Sequence, residues 1–244
     1  MKQTADKGIW KFEGPEPGPC IVVLGGVHGN ELTGIEVVKR LVERFESGEL
    51  ELVRGTLYLV LGNLEAITQG VRASAVDQDL NRMFTKSNLE GNPQDFYESR
   101  RAQELAPILR EADICLDLHA TNKPSDPFIC IPSVNERKKE ILRWFDCQNI
   151  LIDPNFVTGG GQPAATDEFV EVNGGIGLCY ETGWAQDTSK IESVFESVLE
   201  VLDQEGMTDV NLSKAMTNLR LSVPPEFNKD MFELVEAIRL TEAE

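Results

Sequence analysis

A chain of 244 residues with 41% hydrophobic and 26% charged side chains carries enough apolar material for one well-buried α/β domain, which excludes the disordered and fibrous classes. Its 23 basic and 41 acidic residues leave a net charge of −18, a field that repels nucleic acid and anionic membrane surfaces within a Debye length of about 8 Å. No run approaches the roughly 20 apolar residues of a membrane span, and Met1 to Asp6 leads into no signal-type apolar segment. Five widely spaced cysteines without a Cys-x-x-Cys pair (Cys20, Cys115, Cys130, Cys147 and Cys179) read as core thiols of a cytoplasmic protein.

In chain order, Cys20 to Leu24 is a short β-rich run, and Glu31 to Phe45 places Ile35, Val38, Leu41, Val42 and Phe45 on one helical face. Thr56 to Leu61 is the next strand. A polar stretch from Asn63 to Asn92 then interrupts the alternation, and its length marks a functional excursion rather than a plain connection. A helix is predicted from near Pro93 toward Arg110, a buried strand at Ile114 to Leu118, a helix over Glu136 to Phe145 and a strand at Ile150 to Ile152. The glycine-rich Thr158 to Gln162 reads as a mobile loop. Ile176 to Tyr180 is a further core strand, followed by an amphipathic helix from about Thr188 to Leu202. Beyond Gly206 the pattern changes, and Phe232, Leu234, Ala237 and Ile238 fit either a strand or a helix. Strands alternating with helices predict a mostly parallel sheet covered on both faces.

The chain has only two histidines, and both follow strands. His28 stands in Gly25-Gly26-Val27-His28-Gly29-Asn30-Glu31, where glycines let the backbone turn sharply and bring His28 and Glu31 toward one point. His119 ends Leu116-Asp117-Leu118-His119, and the carboxyl ends of parallel strands share one sheet edge. Two imidazoles and a carboxylate with an open position form a catalytic zinc set, and Asp117, two residues earlier on the same strand face, is placed to orient a ligand from behind. Metal-assisted hydrolysis also needs a base, and Glu181, after the strand Ile176 to Tyr180, is the candidate. In the excursion, Asn81 and Arg82 of Asp79-Leu80-Asn81-Arg82 are suited to grip a carboxylate, and Arg72 to stabilise an oxyanion. The Arg72 and Arg82 region is expected to be a positive island on a negative surface.

Gly26-Val27-His28-Gly29-Asn30-Glu31, Asp79-Leu80-Asn81-Arg82, Asp117-Leu118-His119 and Glu181-Thr182-Gly183, in that order, resemble the succinylglutamate desuccinylase/aspartoacylase family of zinc hydrolases, relatives of the metallocarboxypeptidases. The resemblance runs from about residue 18 to 204. It implies a three-layer carboxypeptidase-like α/β fold, with a mixed, mostly parallel sheet between helices, and one zinc ion per chain. The implied reaction hydrolyses a small N-acyl amino acid. His28, Glu31 and His119 would be the zinc ligands, Glu181 the base, Asn81 and Arg82 the holders of the α-carboxylate, and Arg72 the group that polarises the scissile carbonyl.

Two departures stand out. Aspartoacylase-like members carry an arginine shortly before the base strand for a second substrate carboxylate, whereas Ala164-Ala165-Thr166-Asp167-Glu168-Phe169 offers acids there, which argues against acylaspartate. Family members also continue into a C-terminal β-rich domain. Residues 1–206 are therefore expected to form the catalytic domain and 207–244 an extension where such a domain begins, in a short form or a fragment. A peptide-cutting zinc carboxypeptidase and a noncatalytic metal- or ligand-binding domain are the competing readings, and a homo-oligomer is compatible with all three.

Overall fold

The computed structural model describes residues 7–75, 78–91, 95–156, 161–208 and 226–234. Its elements begin with β1 (Ile9–Glu13), β2 (Glu16–Gly25), α1 (Leu32–Glu46) and β3 (Arg54–Leu61). The excursion holds α2 (Leu64–Gln69), a single 3-10 turn at Leu80–Arg82 and α3 (Lys86–Glu90). Then follow α4 (Tyr97–Glu111), β4 (Ile114–Thr121), β5 (Phe128–Ile131), α5 (Glu136–Leu142), β6 (Asn149–Ile152), α6 (Thr166–Val172), β7 (Ile176–Trp184), a 3-10 turn at Thr188–Lys190, α7 (Ile191–Gln204) and β8 (Asp230–Glu233). Among the described residues, no helix is long and apolar enough to cross a membrane.

The eight strands form one sheet in the order β1-β3-β2-β4-β7-β5-β6-β8. Strands β3, β2, β4 and β7 are mutually parallel, β1 is antiparallel to β3, and β5 is antiparallel to β7 and parallel to β6, which pairs in parallel with β8. The expected α/β class with a mixed, mostly parallel sheet is the one observed.

Alternation along the strands sorts the side chains onto two faces. Ile21 and Val23 of β2, Leu57, Leu59 and Leu61 of β3, Ile114, Leu116 and Leu118 of β4, and Leu178 and Tyr180 of β7 face one core, shared with α1, α5 and α7. Val22 and Leu24, Val60 and Cys115 point the other way, into a smaller core with Leu105 and Leu109 of α4 and Phe169 and Val170 of α6. Each fully buried Leu, Ile or Val contributes about 1.5 to 3 kcal/mol, so these two seams hold the layers together.

The smaller core does not extend under the whole sheet. Past Cys115 its face carries Asp117 and His119 on β4, and on β7 it carries Cys179 and Glu181. Close approach sets this boundary. A Cβ on Gly177 of β7 would lie 2.0 Å from the carbonyl oxygen of Asp167, so glycine there lets the first turn of α6 rest directly on the strand.

Besides the short helices α2 and α3 of the polar excursion, three elements have no counterpart among those expected from the sequence. Strand β1 is too short and mixed to show a period. Strand β5 is four residues long, and α6 is seven residues with three acids, so neither carries a periodic signal. Phe232 falls in β8, Leu234 follows it, and Ala237 and Ile238 lie outside the described residues, as does most of the Thr158 to Gln162 loop.

Candidate metal centre and cleft

Strand β2 stops at Gly25, and the chain turns through Gly26 (φ 68°) into the loop that carries His28 and Glu31. Gly29 is required by close approach: a Cβ there would stand 2.0 Å from the backbone carbon of Ala66 in α2. The loop is thus pressed between α2 and the sheet edge. Both His28 and Glu31 are 2% exposed.

His28 Nδ1 lies 2.8 Å from Glu31 Oε1, His119 Nδ1 lies 3.0 Å from Glu31 Oε2, and the two Nδ1 atoms are 3.2 Å apart. One ligating atom from each of the three residues falls within a 4.8 Å sphere of the others. Both imidazoles turn the same nitrogen inward, and a carboxylate braces each from behind. His119 Nε2 is 2.9 Å from Asp117 Oδ2, and His28 Nε2 is 2.9 Å from Asp79 Oδ1. A carboxylate behind a ligating histidine fixes its tautomer and raises its basicity, so the donor set fits a zinc-type ion.

The sequence alone assigns Asp79 no individual role. It also caps the 3-10 turn by accepting from Asn81 N at 2.9 Å, so one carboxylate links His28 to Asn81. Its place at the head of the Asp-Leu-Asn-Arg run was the available signal, but nothing local says that His28, 51 positions earlier, faces it.

The electrostatics of the cluster favour a cation. Burial alone would raise the Glu31 carboxyl, yet the facing His119 and His28 bring it down to about 2. Burial likewise opposes a proton on His119, but Asp117 and Glu31 on its two sides raise its pKa well above the ordinary value. His28 and Arg72 hold the Asp79 carboxyl below the carboxylate range despite its burial.

Glu181 sits opposite His119 in the β4–β7 register. Burial pushes its pKa up, against the pull of His119 and with the help of the Glu31 charge. Among the described residues its buried Oε2 has no hydrogen-bond partner, nor has Oδ1 of Asp117.

Arg72 donates to Asp79 Oδ2 at 3.0 Å and stands 3.6 Å from Glu31 Oε1. Its loop is tied down by buried Glu98 of α4, whose Oε1 accepts from Ser74 N (2.8 Å), Ser74 Oγ (2.7 Å) and Asn63 Nδ2 (3.0 Å). Asn81 accepts from Thr166 N at 3.1 Å, and Arg82 donates to the Asn81 carbonyl at 2.6 Å but makes no ion pair among the described residues. Of the two arginines expected to form a positive island, Arg72 thus faces two carboxylates, while Arg82 is unpaired among the described residues.

A cleft of about 320 Å³ opens beside these groups. His28, Glu31, Arg72, Asn81, Arg82, His119 and Glu181 all line it, while Asp117 stays behind His119. Its other end is made by residues that the sequence reading left unassigned, chiefly Phe128 and Cys130 of β5, Leu151 of β6, Asp153 and Asp167.

The Succinylglutamate desuccinylase/Aspartoacylase catalytic domain matches residues 17–199. Succinylglutamate desuccinylase from Pseudomonas paraeruginosa is 38% identical over 91 residues, 37% of this chain and 26% of that protein. The human N-acyl-aromatic-L-amino acid amidohydrolase (carboxylate-forming) is 39% identical over 114 residues, 43% of this chain and 34% of that one. The chain thus aligns with about a third or less of each relative. The crystal structure of succinylglutamate desuccinylase from Chromobacterium violaceum superposes with a TM-score of 0.72 at 23% identity, covering 97% of this chain and 76% of the other, which is a likeness of fold. The chain belongs to the succinylglutamate desuccinylase/aspartoacylase family, and residues 17–199 are its catalytic-domain segment.

Proposed function

We propose that this chain is a zinc-dependent hydrolase of small N-acyl amino acids, with His28, Glu31 and His119 as metal ligands and Glu181 as general base. The observation that carries the reading is the meeting of three ligating atoms within 4.8 Å at the wall of a cleft that Glu181 also lines, one of its carboxylate oxygens being buried and unpartnered among the described residues. A zinc ion held there supplies Lewis acidity to the scissile carbonyl and to water.

The remaining chemistry belongs to the chain's own residues. Glu181, its pKa raised by burial, takes a proton from the attacking water and delivers it to the leaving amine nitrogen. Arg72 offers N–H donors to the oxygen that becomes negative as the carbonyl carbon turns tetrahedral, a contact worth about 3 to 4 kcal/mol. Asn81 and Arg82 hold the α-carboxylate, and the uncommitted charge of Arg82 supports that role. Asp79 and Asp117 keep the two imidazoles oriented.

Metal analysis of the purified protein, together with initial rates on an N-acyl amino acid panel and on peptides, tests the reading. About one equivalent of zinc and turnover of acyl amino acids are expected. Less than half an equivalent without chelator treatment, or activity confined to peptides, would sink it. Glu181→Gln should retain zinc while kcat falls by about 10² to 10⁴.

A further inference from the structure

The first turn of α6 abuts the proposed carboxylate clamp, because Thr166 N donates to Asn81 Oδ1 at 3.1 Å. Asp167 is the next residue. It is 4% exposed, lines the cleft, and makes no ion pair with any lysine or arginine among the described residues. The basic residues lining the cleft are Arg72 and Arg82, the first already facing Asp79 and Glu31.

Helix capping accounts for little of Asp167, which meets only its own backbone N–H in the first turn. The neighbouring Glu168 does that work, accepting from Ala164 N at 2.8 Å and Ala165 N at 3.0 Å. Burial, with the nearby charges of Asp117 and Glu168, pushes the Asp167 carboxyl up to about 8, so its placement opposes the bare fold. Phe128 and Leu151 line the same cleft and offer apolar walls suited to a methylene stem.

An amino acid's side chain springs from the same carbon as its α-carboxylate. With that carboxylate on Asn81 and Arg82, and Asn81 bonded to Thr166 beside Asp167, the side chain of the amino acid would enter the cleft that Asp167 lines. A second carboxylate would meet a buried acid there, with no further arginine among the described residues of the cleft to neutralise it. Resting on the deacylase reading above, we propose that the preferred substrate is the Nα-acyl derivative of an amino acid with an ammonium-bearing side chain, that Asp167 is its counter-charge, and that dicarboxylic substrates are refused.

The zinc-loaded chain, assayed on Nα-acetylornithine, Nα-acetyl-lysine, N-acetylmethionine, N-acetylaspartate and N-succinylglutamate, tests this. The kcat/KM for one of the two basic substrates should exceed that for N-acetylmethionine about ten-fold, and that for either dicarboxylic substrate about 100-fold. Asp167→Asn should erase most of the preference by lowering the basic substrate's kcat/KM about ten-fold more than that of N-acetylmethionine. Free ornithine or lysine should raise the melting temperature of the parent chain more than aspartate does, and the variant should lose that difference. A best rate on a dicarboxylic substrate, or an unchanged ratio in Asp167→Asn, overturns the inference and leaves the deacylase reading standing. No hydrolysis of any of the five removes both.

Discussion

The two ends of the cleft are built differently. At the metal end, His28, Glu31, His119, Asp79, Asp117 and Arg72 answer one another, with acids and bases paired at 2.8 to 3.6 Å. Along the wall made by β5 and α6, Asp167 stands buried beside Cys130 and Cys179, where burial and the Asp117 and Glu168 charges oppose its ionisation and outweigh the pull of His119. A region whose charges are mutually satisfied is set to hold an ion in fixed geometry. A region with a buried acid that no lysine or arginine meets among the described residues is set to take its partner from outside, at a cost in stability.

The largest effect that separates the two ends should come from the braces of the metal end. Asp117→Asn and Asp79→Asn should each weaken zinc binding by about 10- to 100-fold, read by competition with a chelator, because each leaves an imidazole without its orienting carboxylate. Equal affinity in both variants and the parent would dissolve the distinction between a braced and an unbraced end.

Glu98→Ala comes next. Without its three hydrogen bonds the Arg72 loop loses its anchor, and kcat should fall by up to about 100-fold with zinc content unchanged. Ser74→Ala removes one of those bonds and should cost less; an equal loss would place the effect elsewhere. Glu98 touches neither the ligands nor the cleft, so a loss of zinc would instead mean general unfolding.

The smallest effect is thermodynamic. Between the ordinary carboxyl value of 3.8 and about 8, an unfolded Asp167 is ionised and the folded one holds its proton. The unfolded state then binds fewer protons, so this residue lowers stability as pH rises through that window. Asp167→Asn should accordingly raise the melting temperature by a few degrees at pH 8 relative to the parent, with little gain near pH 4. A gain that is the same at both pH values would argue against the buried charge as the cause.

The same division runs through what could be read from residues alone. The metal end was legible because its groups sit in short runs with fixed spacing: His28 and Glu31 three apart on a glycine loop, and Asp117 and His119 two apart on one strand face. The pairing of His28 with Asp79 was not legible, since it joins the sheet edge to the end of a long excursion. Nor was Glu98, which lies on a helix that reads as ordinary surface and core.

Elements β5 and α6 show the limit most clearly. Four and seven residues are too few for a period, yet these two segments, with β6, wall the far end of the cleft and carry Cys130, Ala165 and Asp167 to it. The sequence by itself determined the α/β class, the two-faced sheet and the candidate cluster of His28, Glu31 and His119, because strand alternation and residue spacing are local properties of the chain. Only the tertiary structure decided which nitrogen of each histidine faces inward, which carboxylate stands behind it, and that an acid from α6 lines the site. Those outcomes depend on strand register and on Gly177 letting a helix rest against a strand, contacts between distant segments that no single stretch of residues encodes.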